Sequence, residues 1–329
     1  MLFFNAGYIF AQDIHFTQFY FSPLTLSPAN TGNFDGSLRF SNNHRRQWGS
    51  IGGVPFLTTS VGVDVPFRIA KSKFAAGALV FNDKTGLANL VTNKAFFSLA
   101  YIKKIHNSYF HISAQAGYTT REFDVMKLTF PDQYDDATGD FNTEMPNNES
   151  NINNKLEYVD FNGGIAWSHK GKKFFPQLGV SMFHINEPSE SFIKDGKNNL
   201  SKRIVGHFMS KYLLSDKHYI TPSALYMFQL QASELVFGTN YGINVAENKF
   251  KAKSVFAGLY FRNGIDRNFD AGSVVAGIEF NQLNLGASYD FNISKLHNAT
   301  KYLGGFEFSL IYIIKETRLN KITIPCDRY

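Results

Sequence analysis

The sequence predicts an all-β protein, a transmembrane up-and-down antiparallel β-barrel of about fourteen strands. Three observations carry this expectation. Segments of about ten residues alternate in character with period two, as a wall between lipid and a polar lumen requires. The chain has no run of about 18 apolar residues, which a membrane-spanning helix would need. Connections are short after every second predicted strand and mostly longer after the others. That asymmetry is the outer-membrane pattern, and a soluble sandwich gives no reason for it.

Composition agrees. Hydrophobic residues make up 44% of the 329 and charged residues only 18%, with 34 Phe and 16 Tyr. A disordered chain would be richer in charge and poorer in aromatics. The single cysteine, Cys326, allows no intrachain disulfide and reads as an unpaired tail residue. A net charge of +6 suits acidic lipid head groups, an acidic protein or nucleic acid. With no helix dense in Lys and Arg and no aromatic platform, nucleic acid is not expected as a partner.

Along the chain, residues 1–11 resemble the apolar core of a secretory signal cleaved after Ala11, but lack a positive n-region. The alternative is an ordinary first strand. Residues 12–35 are rich in Pro, Asn and Gly, which argues against a wall strand and for a lumenal or periplasmic segment. The barrel is expected over 36–314, followed by a basic tail, 315–329. Its strands are read at 36–47, 57–66, 73–82, 95–104, 109–120, 158–168, 174–184, 203–213, 218–229, 233–242, 252–263, 271–280, 284–292 and 305–314. In the clearest of them, Phe306, Phe308, Leu310, Tyr312 and Ile314 share one face, with Glu307 and Ser309 on the other.

Short turns are expected around Ala70-Lys71-Ser72, Ile105-His106-Asn107, Lys170-Gly171-Lys172, Ser215-Asp216-Lys217, Ala246-Glu247-Asn248 and Asn281-Gln282-Leu283. The longest loops are expected at about 121–157 and 185–202. Asp132, Asp135, Asp136 and Asp140 make the first loop acidic, whereas Lys71, Lys103, Lys104, Lys170, Lys172 and Lys173 make the short turns basic. Solvated loops explain this polarity. So does a basic rim that docks an acidic periplasmic partner.

No chemistry-bearing motif emerges. The chain has no G-x-S-x-G turn, and His184 with Glu187 lacks metal-ligand spacing. The Asp132–Asp140 stretch departs from the calcium-loop pattern. The expectation is a non-enzyme with no cofactor and no metal.

The ordered motifs resemble a known family. Gln12-Asp13-Ile14-His15-Phe16-Thr17-Gln18-Phe19-Tyr20 opens the series. Leu26-Ser27-Pro28-Ala29-Asn30-Thr31-Gly32, Arg45-Arg46-Gln47-Trp48 and Ser60-Val61-Gly62-Val63-Asp64 follow. Then come Asn186-Glu187-Pro188-Ser189, Pro222-Ser223-Ala224-Leu225-Tyr226, Gly238-Thr239-Asn240 and the tail Ile324-Pro325-Cys326-Asp327-Arg328-Tyr329. Together these resemble the PorP/SprF family of outer-membrane proteins over nearly the whole mature chain. Departures include Ser22-Pro23 and Ser27-Pro28 where the family has Asn-Pro, and Asp327 where its tail has Pro.

The resemblance implies a component of the type IX secretion and gliding machinery. Its partners would be outer-membrane lipid, a secreted adhesin or its C-terminal domain, and periplasmic ring or motor components. A passive porin is the alternative, which needs an open lumen. Arg46, Gln47, Trp48, Asp64 and Asn240 match family motifs. Arg46 and Asp64 are expected to bridge adjacent strands inside the lumen. Asn186 and Pro188 open a predicted external loop, the better place for binding.

Overall fold

In hydrocarbon every backbone N–H and C=O has to be paired inside the protein, which strands achieve only in a sheet without edges. The computed structural model describes residues 15–48, 54–86, 89–125, 128–142, 145, 152–194, 196, 198–245, 253–265, 268–294 and 303–315. The proposed signal, 1–11, and the tail beyond Lys315 lie outside these residues.

The chain forms β1 (Leu38–Gln47), β2 (Phe56–Ile69), β3 (Ser72–Thr85), β4 (Leu90–Ile105) and β5 (Ser108–Glu122). A small hairpin, β6 (Tyr134–Asp135) and β7 (Asp140–Phe141), stands in the long loop. Then come β8 (Lys155–His169), β9 (Phe174–Phe183), β10 (Arg203–Leu213), β11 (His218–Gln229) and β12 (Ala232–Asn244). The last are β13 (Ser254–Gly264), β14 (Asn268–Glu279), β15 (Leu283–Asn292) and β16 (Leu303–Ile314). All but β6 and β7 close into one fourteen-stranded antiparallel barrel, sealed where β1 pairs with β16.

The fourteen expected strands are the observed ones, with shifted ends. β4 begins at Leu90 rather than 95 because polar Asn93 and Lys94 extend the ladder beyond the apolar band, where periodicity no longer marks it. The turn expected at Ala246-Glu247-Asn248 lies outside the described residues, between the end of β12 at Asn244 and the start of β13 at Ser254. The β11–β12 turn, Leu230-Gln231, is tight although it lies on the long-loop side, and Leu230 adopts φ +54°.

Alternation sorts the wall into two faces. On β16, Phe306, Phe308, Tyr312 and Ile314 face outward, while Gly305, Glu307, Ser309 and Ile311 are turned in. On β13, Val255, Leu259 and Phe261 face out against inward Phe256 and Tyr260. Outward side chains are bathed in lipid, so their exposure is favourable there and would be an aggregation hazard in water. Exposed Asp132, Asp136 and Asp140 sit at the long-loop end, and exposed Lys71, Lys103, Lys104, Lys172 and Lys173 at the other.

The core is the lumen, and residues 15–35 fill it. Pro23 and Pro28 each start a short helical turn, where the missing proline N–H removes no bond. The Ser27 hydroxyl accepts the Ala29 N–H at 3.1 Å. Phe19, Phe21 and Leu26 join one apolar cluster with Phe183, Val205, Leu225, Met227 and Phe256 of the wall. Each such side chain contributes about 1.5–3 kcal/mol by leaving water. Gly32 (φ +71°) lies so close to the wall that a Cβ would stand 2.3 Å from Ala75 Cβ. Only glycine fits there.

Leu259→Arg, a charge at a lipid-facing mid-strand position, should cost about 2–4 kcal/mol. Reversible denaturant unfolding in lipid vesicles measures it. An unchanged midpoint would place Leu259 in water.

Candidate functional site

Parity along β1 turns Arg39, Ser41, Asn43 and Arg45 into the lumen. Buried arginines there need counter-charges, because an unpaired ion at such a site is far more costly than a paired one. Arg45 finds them on β15 and β16. Its Nη1 donates to Glu307 Oε2 at 2.8 Å and to Thr17 Oγ1 at 3.0 Å, and its Nη2 to Asp290 Oδ2 at 2.7 Å. Its Nε donates to Gln47 Oε1 at 3.1 Å.

The same carboxylates hold the lumenal segment. Glu307 accepts the backbone N–H groups of Thr17 (2.8 Å) and Gln18 (3.0 Å). Asp290 accepts the Thr17 hydroxyl (3.0 Å) and the Ser273 hydroxyl (2.7 Å). Arg262 lies 3.6 Å from Asp290, so two guanidinium groups balance two carboxylates. Hydrogen bonds to charged groups are worth about 1.5–3 kcal/mol each, roughly twice the neutral kind.

A second latch sits nearer the short-turn end. Arg39 grips Asp64 with two parallel bonds, Nε to Oδ1 at 2.9 Å and Nη2 to Oδ2 at 2.8 Å. Arg39 also donates to the Asn30 carbonyl at 2.8 Å, and Asp64 accepts the Gly32 N–H at 2.7 Å. Smaller ties encircle the segment: Ser27 to Ser181 (2.5 Å), Thr31 to Ser98 (2.8 Å) and His15 to Glu234 (2.6 Å). Asp35 pairs with Lys170 at the short-turn rim.

The residues expected from motifs divide by parity. Asp64 is a lumenal anchor, but its partner is Arg39. The β1–β2 register sets Arg39 opposite Asp64 and Arg46 opposite Leu57, so the expected Arg46–Asp64 bridge does not form. Arg46 is exposed on the outer side. Gln47 joins the Arg45 network. Trp48 (φ +55°) packs edge-on against Phe56, with centroids 5.1 Å apart, at the long-loop rim. Asn240 faces the lumen and donates to Thr221 Oγ1 and Tyr260 Oη, both at 3.1 Å.

Asn186 and Pro188 lie in the loop between β9 and β10, at the long-loop end. The Pro188 carbonyl accepts the Leu200 N–H at 2.9 Å and folds the loop on itself. Asn186 donates to the Val159 carbonyl and accepts the Phe161 N–H of the wall. The loop packs onto its neighbour through an Arg121–Glu190 ion pair, edge-on Phe123 and Phe192, and an Asn153 N–H to Phe192 carbonyl bond of 2.7 Å. In the long loop, Gln133 is buried and ties Phe130 to Met145.

Arg45, Glu307 and Asp290 carry the site; Arg45 stands in the Arg45-Arg46-Gln47-Trp48 motif beside the expected Arg46, whereas Glu307 and Asp290 lie outside the motifs. Their signal was present: each is a charge on the inward parity of a wall strand.

Arg45→Ala should strand two buried carboxylates and destabilise the barrel by about 3–5 kcal/mol, whereas Arg46→Ala should stay within about 0.5 kcal/mol. Unfolding of both variants in vesicles checks the contrast. Equal effects would contradict the assigned parity.

Solved structures share this fold. The Pseudomonas putida toluene transporter TodX aligns with a TM-score of 0.51 at 8% identity, covering 88% of this chain and 93% of that one. The Ralstonia pickettii toluene transporter TbuX gives 0.50 at 9%, covering 88% and 92%. Identities this low speak for architecture alone, that of an outer-membrane barrel. No curated protein matches in sequence. A family model described as type IX secretion system membrane protein PorP/SprF matches residues 9–312, nearly the whole chain. The protein is thus an outer-membrane β-barrel that belongs to the PorP/SprF family of type IX secretion system membrane proteins.

Proposed function

We propose that this barrel serves the type IX secretion and gliding machinery as a partner in the export or surface attachment of secreted proteins that carry a conserved C-terminal domain. The family membership supports the setting. The observation that carries the reading is the filled lumen: Phe16, Gln18, Leu24, Ala29 and Thr31 are at most 2% exposed and are tied to the wall by buried charges. A solute path of the porin type would need that space. The long-loop end, with its packed loops and acidic hairpin, is then the face offered to a secreted partner. The basic short-turn rim is the face offered to periplasmic ring or motor components. The role is scaffolding and does not involve catalysis.

Affinity purification of the tagged protein from detergent-solubilised outer membranes, with mass spectrometry, tests the reading. A large secreted protein with its C-terminal domain is the expected companion. Recovery of the barrel alone would contradict it. In planar bilayers the intact protein should conduct little, and deletion of residues 15–33 should open a conductance. Steady conduction by the intact protein would favour the porin reading.

A further inference from the structure

Strand β8 pairs with β5 along its full length, Lys155–His169, but with β9 only from Gly163 to Ser168. Above Gly163, toward the long loops, no strand among the described residues pairs with one side of β8, and the β9–β10 loop returns to that side only above Lys155, where the Asn153 N–H donates to the Phe192 carbonyl at 2.7 Å. The odd-numbered residues of β8 aim their backbone groups at the intervening gap. The Phe161 N–H donates to Asn186 Oδ1 at 3.0 Å, the Val159 carbonyl accepts from Asn186 Nδ2 at 2.7 Å, and the Phe161 carbonyl accepts the Ile185 N–H at 2.9 Å. The amide of Asn186 therefore stands where a peptide group of the next strand would stand. Farther up, Lys155 and Glu157 present the same groups, and among the described residues nothing bonds them there.

The division follows the bilayer. Val159 and Phe161 point lipid-facing side chains outward, so backbone at their depth has to be satisfied by protein. Lys155 and Glu157 form an ion pair at 2.5 Å and mark the water boundary, where water can satisfy an open edge. Just below the Asn186 cap, the outer wall is indented over Gly163. The cavity, about 390 Å³, is walled by Ile112, Ile165, Val180, Met182 and Ile204. A Cβ added to Gly163 would meet nothing nearer than 3.5 Å.

We propose that this seam is a strand-docking edge. An extended segment of the secreted partner adds to β8 over Lys155–Phe161, displaces the Asn186 amide, and lays an apolar side chain into the indentation at Gly163. Free N–H and C=O groups at strand spacing recognise only extended backbone, and apolar pockets for alternate side chains select its sequence. The inference rests on the secretion reading, which supplies the partner.

The test uses the full-length barrel and the recombinant C-terminal domain of the secreted protein recovered with it. Glu157→Pro removes an N–H that bonds nothing among the described residues, and proline is tolerated at such an edge. Binding should fall by about tenfold or more, with the heat-modifiable gel shift of a folded barrel retained. Undiminished binding overturns the edge and leaves the secretion reading standing. A wild-type barrel that binds no secreted domain overturns both. Should Glu157→Pro fail to fold, amide hydrogen exchange on the wild type decides. Exchange across residues 155–159 should slow at least about tenfold on adding the domain, and unchanged exchange there overturns the proposal.

Discussion

The Arg45 ion cluster is the constraint on which the rest of the lumen depends. A guanidinium shared between Glu307 and Asp290 is stable at under a tenth exposure only because every charge in the cluster has a partner. Those same carboxylates take the Thr17 and Gln18 N–H groups. The lumenal segment is thereby fixed in register with β1, β15 and β16, the strands that close the barrel. Arg39 and Asp64 repeat the device closer to the opposite rim. Between the two anchors, apolar packing by Phe19, Phe21, Leu24 and Leu26 excludes water and strengthens each buried bond.

The bilayer imposes the complementary constraint on the wall. Junctions other than β8–β9 satisfy it with ladders, interrupted at β10–β11 and bulged at β13–β14 and β15–β16, whereas the β8–β9 junction stops at Gly163 and is completed by a side chain. Asn186 thus links two levels of the structure. It is a loop residue, yet it completes the sheet at a depth where an open edge would be expensive. The loop that carries it is also pinned by Arg121 and Phe192, so the seam and the long-loop end form one packed unit.

The wall was legible because period-two alternation is a direct imprint of two solvents. Phe306 through Ile314 could hardly be read otherwise, and all fourteen strands were visible in this way. Strand ends were less legible wherever the ladder continues above the apolar band, as at Asn93 and Lys94. The lumenal segment was marked by Pro23, Pro28 and Gly32, although its contacts were not, since they join residues as far apart as Thr17 and Glu307. The expected Arg46–Asp64 pair is ruled out twice: the register places Asp64 opposite Arg39, seven residues from Arg46, and strand parity turns Arg46 to the other face. Arg45 is the arginine that points inward, and its partners lie near the far end of the chain. Asn186 was picked out by motif, but its work as a substitute strand depends on β9 ending at Phe183, which no local pattern encodes.

Residues 15–35 occupy the lumen and are held there. The most direct test joins the segment to the wall. Ser27 and Ser181 hydroxyls are 2.5 Å apart, so a Ser27→Cys/Ser181→Cys protein with Cys326→Ser should form a disulfide in intact cells, with both thiols unreactive to maleimide. A protein that folds but leaves these cysteines reduced and readily labelled would show the segment outside the barrel and contradict the account.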